Sequence, residues 1–550
     1  MNARSMGKRV VTVLLLVLMA RRAEAEEPWA DADPSAPPAR TEIGDFGARG
    51  AAEYRAQALY VNPIALNSES SRAIGWIDQR LRLDGAIDYK DQVRLVVSAD
   101  LLDGVLWGDN GSLGSSPAPN SGSNVNARNP NFAVACIGNR GGDPLLPESY
   151  GYTLCPANPV FIRKAYGEVR LPFGLLRVGR QSTNEGMGVQ SADGEGRANR
   201  FGVSHTGNVS DRILFATKPL EALKPVELRD TSHTQGFFVG LAYDRVVIDD
   251  PQSFRDDVHQ VAMGVRYLAP SYALGTDLRI AGYVAHRFDA QYATAIDSFG
   301  LRAMSRFGDF YAGFDAAAVV GSTREISAAY STITNDPVTD QAVRQLGARA
   351  VVRYDKSIFS AYLEADYASG DGDPSPRSPL TQFVFAEDTN VGLLLFKHAL
   401  AYQTARSSAA GVELLKRLGA KSFPAEAIAT RGAFTNALAF FPQFDVRPAD
   451  GWLLRGGALF AWAASPVVSP IASLQARDGL TIDDDLVNFA GGKPGRYYGT
   501  ELDGRIQYRA LDHFVLDLEG AILFPGNALA DVDGYAARSV LVQGRTTFYF

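Results

Sequence analysis

Residues 540–550, VLVQGRTTFYF, alternate between two kinds of side chain. Val542 and Phe548 fall on one face of an extended strand, whereas Arg545 falls on the other. One face is apolar and the other polar, as in a sheet that separates lipid from water. Phe550 ends the strand with an aromatic ring. We therefore expect a membrane barrel whose last strand closes against its first.

Residues 1–27, MNARSMGKRVVTVLLLVLMARRAEAEE, have the pattern of a secretory signal. A basic start precedes an apolar run from Val10 to Ala20, and an A-x-A pattern follows at Ala23 and Ala25. An uncleaved membrane anchor is the alternative, but it would need about 18 apolar residues. We predict a signal peptide at 1–25 and a flexible periplasmic lead-in at 26–50.

The composition excludes some classes of protein. The chain has 54 basic and 61 acidic residues and a formal net charge of −7. A nucleic-acid-binding domain would be basic, so nucleic acid is not an expected partner. Neither helical periodicity nor internal repeats divide the chain, and residues 51–550 are therefore expected to form one large β domain.

Period-two segments recur roughly eighteen times, with a range of 16 to 18, and most reach the length of a tilted membrane strand. Short links separate many of them, such as DG at Asp84 and LPFG at Leu171. Long links at 101–159, 182–210, 321–343, 369–436 and 464–497 alternate with the short ones. This rhythm predicts an all-β, antiparallel transmembrane barrel with periplasmic termini and long extracellular loops. One link, 218–235, is too long for a periplasmic turn, so either it hides a strand pair or that turn is exceptional.

Charged residues share one face of the predicted strands. Glu501 and Arg505 lie opposite Leu502 and Ile506, for example. A charge facing the middle of the bilayer costs about 2–4 kcal/mol, so the charged face should be turned to water. The predicted pore-lining residues are Asp78, Arg80, Arg82, Arg266, Arg279, Glu364, Asp366, Glu501, Asp503, Arg505, Arg509, Asp517 and Glu519.

A barrel of this size is wide enough for an aqueous channel unless loops block it. The link 369–436 is the expected obstruction, because Val412, Leu414, Leu415 and Leu418 form an amphipathic helical stripe. The helix could fold into the mouth of the barrel or contact only other outer loops. Both possibilities stay open.

Four segments resemble the alginate-export family and related porin-like outer-membrane proteins. They are AYGEVRLPFGLLRVGRQ (165–181), AYLEADYASGDGDP (361–374), FAEDTNVGLLLF (385–396) and ELDGRIQYRALDHFVLDLEGAILFPG (501–526). The resemblance implies an eighteen-stranded barrel that passes an anionic polysaccharide or small solutes. A polyuronate conduit would need a strongly cationic bore, whereas the predicted lumen mixes both signs of charge.

The predicted function is therefore a porin-like, non-enzymatic channel of the bacterial outer membrane that passes small or anionic solutes passively. The alternatives are a dedicated exporter of an anionic polysaccharide and a surface adhesion barrel with a closed bore. The expected partners are outer-membrane lipid, the solute or polysaccharide, and the barrel-assembly machinery acting on the C-terminal strand. No cofactor is predicted.

Other chemistry-bearing residues have structural interpretations. Cys136 and Cys155 share a predicted outer loop in an oxidising compartment, which favours a disulfide. Ser204 and His205 are acyl-transfer residue types, but neighbours on a regular strand point to opposite faces. The acidic pairs of loop 369–436 and of residues 483–485 fall short of a Ca²⁺-loop pattern, so no metal site is predicted.

Arg177 also has two interpretations. It lies beside the LPFG turn and could steer anionic solutes through planar guanidinium contacts. Pairing with Glu168 at the periplasmic rim is the favoured alternative.

Overall fold

A computed structural model describes residues 41–67, 73–108, 158–183, 186–192, 194, 199–204, 207–248, 258–419, 425, 428–476, 485–511 and 513–550. Within these ranges, nineteen strands form one sheet. The first, Thr41–Ile43, pairs only with residues 46–48, and the other eighteen form a ring. The predicted signal peptide, part of the lead-in, and both cysteines lie outside the described residues.

The strands of the ring are numbered β1 to β18 in chain order. They are Phe46–Asn62, Ile74–Tyr89, Val93–Gly108, Asn158–Leu171, Gly174–Ser182, Val209–Thr217, Gly236–Ile248, His259–Tyr272, Gly275–Asp289, Thr294–Phe307, Phe310–Thr323, Gln341–Lys356, Phe359–Ala368, Ala437–Val446, Trp452–Trp462, Tyr497–Ala510, Phe514–Pro525 and Ser539–Tyr549.

Each strand pairs antiparallel with its neighbour in the chain, and β18 closes the ring on β1. Val540 stands opposite Asn62, and Tyr549 opposite Glu53. Because the ring is closed, the sheet has no edge with unpaired N–H and C=O groups. Such an edge would be costly in lipid, since hydrocarbon offers no hydrogen-bond partners. The prediction of an all-β, closed antiparallel barrel of eighteen strands is confirmed.

The two faces of the strands separate as the alternation predicts. Leu502 and Leu518 are 46% and 52% exposed on the outside of the barrel, whereas Glu501 and Glu519 are buried inside it. The exposed apolar side chains form a band that suits lipid. Among the described residues, no helix is long and apolar enough to cross a membrane.

Long and short connections alternate around the ring, with one misplaced turn. The predicted turn at Asp84 is wrong, because Asp84 and Gly85 pair with Ser98 and Val97 in the middle of β2. The chain reverses at Lys90 and Asp91 instead, and both adopt positive φ angles (50° and 55°). No glycine marks this turn, so the DG signal six residues earlier was misleading.

The long connection 218–235, at the short-turn end of the barrel, contains no strand pair. It holds a short helix, α1 (Pro219–Ala222), and one 3₁₀ turn (Val226–Leu228). Arg229 fastens it by donating to the carbonyl oxygens of Lys224 (2.8 Å) and Ala222 (2.9 Å). The turn is therefore the exceptional one that the sequence allowed for.

In the described residues, the long-loop end of the barrel carries three more α-helices. They are α2 (Glu325–Thr334), α3 (Ala401–Arg417) and α4 (Pro470–Ala476), and a π-helical turn, Leu395–Leu400, leads directly into α3. Val412 and Leu415 of α3 pack against Ala329 and Ile333 of α2. The predicted stripe thus contacts another outer loop, while the chain just before it enters the barrel.

Candidate functional site

The described parts of two connections fold into the barrel and pack against one side of its wall. We call residues 183–208 the first inserted loop and residues 369–436 the second inserted loop. Phe385, Val391, Leu395 and Phe396 of the second inserted loop are at most 1% exposed. They belong to one apolar cluster with inward-facing wall residues, which include Leu59, Val61, Leu459, Leu523 and Leu541. Complete burial of such side chains stabilises by roughly 1.5–3 kcal/mol each, so the loop is firmly seated.

Glu501 of β16 fixes the second inserted loop to the barrel wall. Its carboxylate accepts three backbone N–H groups, from Leu393 (2.7 Å), Leu394 (2.7 Å) and Leu395 (2.6 Å). The preceding residue, Gly392, has a φ of +73°, and an added Cβ would lie 3.0 Å from that carboxylate. The positive φ and the close approach to the wall both favour a glycine at this position.

The first inserted loop is held by the same kind of contact. Met187 N–H donates to the Asp315 carboxylate (2.9 Å), and Gly202 N–H donates to Glu519 (2.8 Å). Arg200 forms an ion pair with Asp445 of β14 at 2.8 Å. Carboxylates of the wall thus accept hydrogen bonds from backbone N–H groups of the loops that have no partner in a helix or strand. Buried N–H groups need such acceptors.

Many of the predicted pore-lining residues take part in this packing. Inward-facing ion pairs join Arg82 to Asp100 (2.6 Å), Arg349 to Glu364 (2.9 Å) and to Asp366 (2.7 Å), and Arg505 to Asp517 (2.9 Å). Arg80 pairs with Glu53, and Arg279 pairs with Asp277 at 3.0 Å. Asp78 accepts from the Trp76 indole (3.0 Å), Asp503 is buried beside Glu501, and Arg509 is half-buried.

These contacts support a structural role for those charges. Burial in pairs satisfies guanidinium and carboxylate groups that would otherwise be costly to desolvate. Their role as pore-lining groups stays a prediction.

The opposite side of the barrel contains a cavity of about 830 Å³. Arg177, Arg212, Arg266, Arg287 and Arg302 all line it, and they lie on β5, β6, β8, β9 and β10. Among the predicted pore-lining residues, Arg266 is the one that contributes to this wall.

The arginine row spans the height of the barrel. Arg177 lies near the short-turn end of β5, and Arg266 and Arg302 lie in the middle of their strands. Arg212 and Arg287 lie near the long-loop ends of β6 and β9. The lining continues outward to the second inserted loop, where Asp371 and Asp373 border the cavity.

Four of the five arginines have a neighbouring side chain that fixes their orientation. Arg177 donates to Glu168 (2.7 Å), which bears out the pairing expected at the periplasmic rim. Arg212 forms a two-point contact with Asp244 (2.6 and 2.8 Å), and Arg287 donates to the Gln260 side-chain oxygen (3.0 Å). The Arg266 guanidinium lies 5.0 Å from the centre of the Phe238 ring. Planar groups held in this way can still offer N–H donors to a passing anion.

Most of this arginine row was not predicted from the sequence. Arg212, Arg287 and Arg302 lie on strands whose inward faces also carry alanine, glycine and serine, so their charges do not form the dense pattern seen around Glu501. The available signal was their parity, because all three fall on the face opposite the exposed Ile213, Val284 and Leu301. The dense charge pattern instead marked the side that packs against the inserted loops.

Ser204 has a buried environment within the inserted loops. Its hydroxyl accepts from the Lys397 ammonium (2.9 Å) and contacts the Asn390 side-chain oxygen (3.1 Å). The adjacent His205 lies outside the described residues. Ser204 of the first inserted loop, with Lys397 and Asn390 of the second, thus connects the two inserted loops.

Asp371 also has a local structural role. Its carboxylate accepts the backbone N–H groups of Asp373 and Thr381, both at 3.1 Å, and burial raises its pKa. In the described part of the chain, no group of three or more His, Cys, Asp or Glu side chains is arranged to hold a metal ion. Residues 483 and 484 of the second acidic cluster lie outside that part.

Comparison with known proteins finds similar barrels among solved structures. The chain is similar to Pseudomonas aeruginosa OccK11 (OpdR), with 10% identity, coverage of 91% of this chain and 96% of that one, and a TM-score of 0.44. It is also similar to P. aeruginosa OccK2 (OpdF) in complex with glucuronate, with 9% identity, coverage of 92% of this chain and 96% of that one, and a TM-score of 0.44. A third similar structure is Acinetobacter baumannii OccAB1, with 8% identity, coverage of 92% of this chain and 96% of that one, and a TM-score of 0.47.

Sequence comparison gives no further relatives. No protein-family model matches the chain, and no curated protein matches it. The resemblance to the alginate-export family is therefore not supported by a family match.

Proposed function

We propose that the protein is a passive outer-membrane channel for small anionic solutes and that the solute moves along the arginine row. The observation that carries the proposal is the placement of five arginines on one wall of the 830 Å³ cavity, from the periplasmic to the extracellular ends of the strands. The cavity is also lined by Asp315, Glu325, Asp371 and Asp373, but the five arginines share one wall. A wall that carries one sign of charge concentrates solutes of the opposite sign.

The inserted loops favour small solutes over a polysaccharide. They occupy the other side of the bore and are fixed by apolar packing and by Glu501. A polyuronate chain would need a wide, continuous passage through the same space. The exporter is therefore the less favoured alternative. The cavity of about 830 Å³ beside the inserted loops disfavours the adhesion barrel with a closed bore.

The test is the reversal potential of purified protein in a planar bilayer across a tenfold KCl gradient. We expect a preference for chloride over potassium, and we expect Arg266→Gln with Arg302→Gln to reduce it. Arg505→Gln changes the same charge on the loop-filled side, and it should leave the ratio near that of the wild type. Absence of current would favour the adhesion barrel, and cation preference in the wild type would contradict the proposed solute class.

A further inference from the structure

A polar row crosses the lipid-facing side of β5–β9 near their extracellular ends. Its members are direct cross-strand neighbours: Arg180 pairs with Asp211, Asp211 with Arg245, Arg245 with His259, and His259 with Phe288. Arg245 is exposed. An unbroken register across five strands places all of these side chains at one level of the barrel.

A second row lies one step closer to the middle of the membrane. Tyr243 stands opposite Val261, Val261 opposite His286, and His286 opposite Asp297. We call the two rows together the outer band.

The row beneath the outer band is entirely apolar. Leu241 pairs with Met263, Met263 with Val284, and Val284 with Phe299, and these side chains are 52%, 46%, 39% and 48% exposed. The outer band therefore continues directly from the lipid-facing surface and lies where headgroups meet acyl chains. Charged residues are tolerated at that level, where their cost falls to about 0–1 kcal/mol.

Four rings of the outer band form a continuous stack. Ring centres are separated by 6.0 Å between Tyr243 and His259, 5.5 Å between His259 and Phe288, and 5.8 Å between Phe288 and His286, with interplanar angles of 19° to 26°. The Tyr243 hydroxyl and His259 Nδ1 are 2.8 Å apart. These contacts give a flat, oriented surface on the outside of the barrel.

An ion pair fixes one end of this surface, and a contact between an imidazole and a carboxylate fixes the other. Arg180 contacts Asp211 at two points (2.9 and 3.1 Å), and His286 Nδ1 lies 2.9 Å from Asp297. Arg245 stands between these pairs, opposite Asp211 and His259 in the register. The outer band thus combines guanidinium and imidazole N–H donors with exposed ring faces.

We propose that the outer band binds the phosphorylated sugar headgroup of a glycolipid in the outer leaflet. Guanidinium and imidazole groups donate charge-assisted hydrogen bonds to phosphate oxygens. Flat ring faces with polar edges suit the apolar face of a sugar, and membrane-interface positions favour such rings. A glycerophospholipid would use the cations but has no ring for the stack, so the phosphorylated sugar lipid uses more of the surface.

The experiment measures binding of lipid to the purified full-length barrel in detergent by native mass spectrometry. The probes are a diphosphorylated glucosamine-disaccharide lipid, the same lipid without its phosphates, and phosphatidylglycerol. We expect the diphosphorylated lipid to bind at least fivefold more tightly than either of the others. Arg245→Gln with His259→Ala should abolish most of that difference.

Arg302→Gln is the matched control, because it removes an arginine that faces the cavity on the neighbouring β10. It should bind the glycolipid like the wild type, and heat-modifiable migration in gels should show both variants folded. Equal binding of all three lipids, or equal loss in the control and the outer-band variant, would overturn the proposal. If Arg245→Gln with His259→Ala does not fold, His286→Ala gives the same test on the lower row.

Discussion

Asp244 sets how much of the Arg212 charge reaches the cavity. It is fully buried, contacts the guanidinium at 2.6 and 2.8 Å, and also accepts from Gln260 (3.0 Å). Replacing Asp244 by Asn removes one negative charge and keeps the shape of the side chain. We expect a larger chloride preference in reversal-potential measurements, because the arginine row loses a counter-charge.

Asp517→Asn removes an equally buried carboxylate from the loop-filled side, where it contacts Arg505 and Arg545. Selectivity should change little in this control. Equal shifts in the two variants would mean that the measured field comes from the whole bore and not from the arginine row.

Glu501 offers a sharper test of stability. Glu501→Ala leaves three buried backbone N–H groups without their acceptor, and an unsatisfied donor costs about 1–3 kcal/mol. We expect the temperature of unfolding, followed by circular dichroism in detergent, to fall clearly. Glu501→Gln keeps one acceptor oxygen, so its temperature of unfolding should lie between those of Glu501→Ala and the wild type.

Glu227→Ala, on the exposed periplasmic connection, is the control for this series and should unfold like the wild type. An unchanged Glu501→Ala protein would show that apolar packing alone seats the second inserted loop.

The second inserted loop is the element that divides the bore. Deleting residues 395–425 removes Leu395–Leu400 and α3, which carry much of the apolar contact with the wall. We expect single-channel conductance to rise, because the loop-filled side becomes open to water. A deletion variant that migrates as a folded barrel but conducts like the wild type would refute an obstructing role.

The connection 218–235 is the element best suited to a test of pH dependence. Hydrogen bonds from Lys218, Ser232 and Gln235 lower the pKa of Asp230 to about 2. A lowered carboxyl pKa stabilises the fold above the ordinary value near 4, and this contribution is lost as the pH falls through about 2. Pepsin should therefore cut the connection slowly at pH 3.5 and faster near pH 2, as measured by gel electrophoresis.

In Asp230→Asn the same connection should be cut readily at both pH values. Comparing the two proteins at each pH separates this effect from the enzyme's own pH dependence. Equal resistance of the two proteins at pH 3.5 would contradict the assigned role of Asp230.

The strands and the obstructing link 369–436 were predictable from the sequence, whereas the wall against which the inserted loops pack was not. In strand β17, Leu516 and Leu518 alternate strictly with Asp517 and Glu519. The alternation is strict because a strand face in contact with lipid tolerates few polar residues. A loop such as 385–400 follows no fixed period, and its apolar residues predict burial without saying against which wall. The sequence predicted which charged side chains face inward. It did not predict whether each of them contacts water or an inserted loop, because that depends on where the loops pack.

The molecule as a whole has two chemically different ends, and its orientation in the membrane can be tested directly. Arg377, on the second inserted loop, is exposed at the long-loop end, whereas Glu227 is exposed on the periplasmic connection. Cysteine at either position can be labelled by a membrane-impermeant maleimide in a background with Cys136→Ser and Cys155→Ser. On intact cells we expect Arg377→Cys to be labelled and Glu227→Cys to be protected, because long loops face outward in such barrels.

Permeabilising the outer membrane is the control and should make Glu227→Cys reactive. The reverse pattern on intact cells would place the long loops in the periplasm. The acidic Asp371 and Asp373 would then border the periplasmic entrance of the cavity and not its extracellular mouth. An anion would in that case meet the arginines before the carboxylates on entry, so the labelling pattern fixes the order in which a solute meets the two charges.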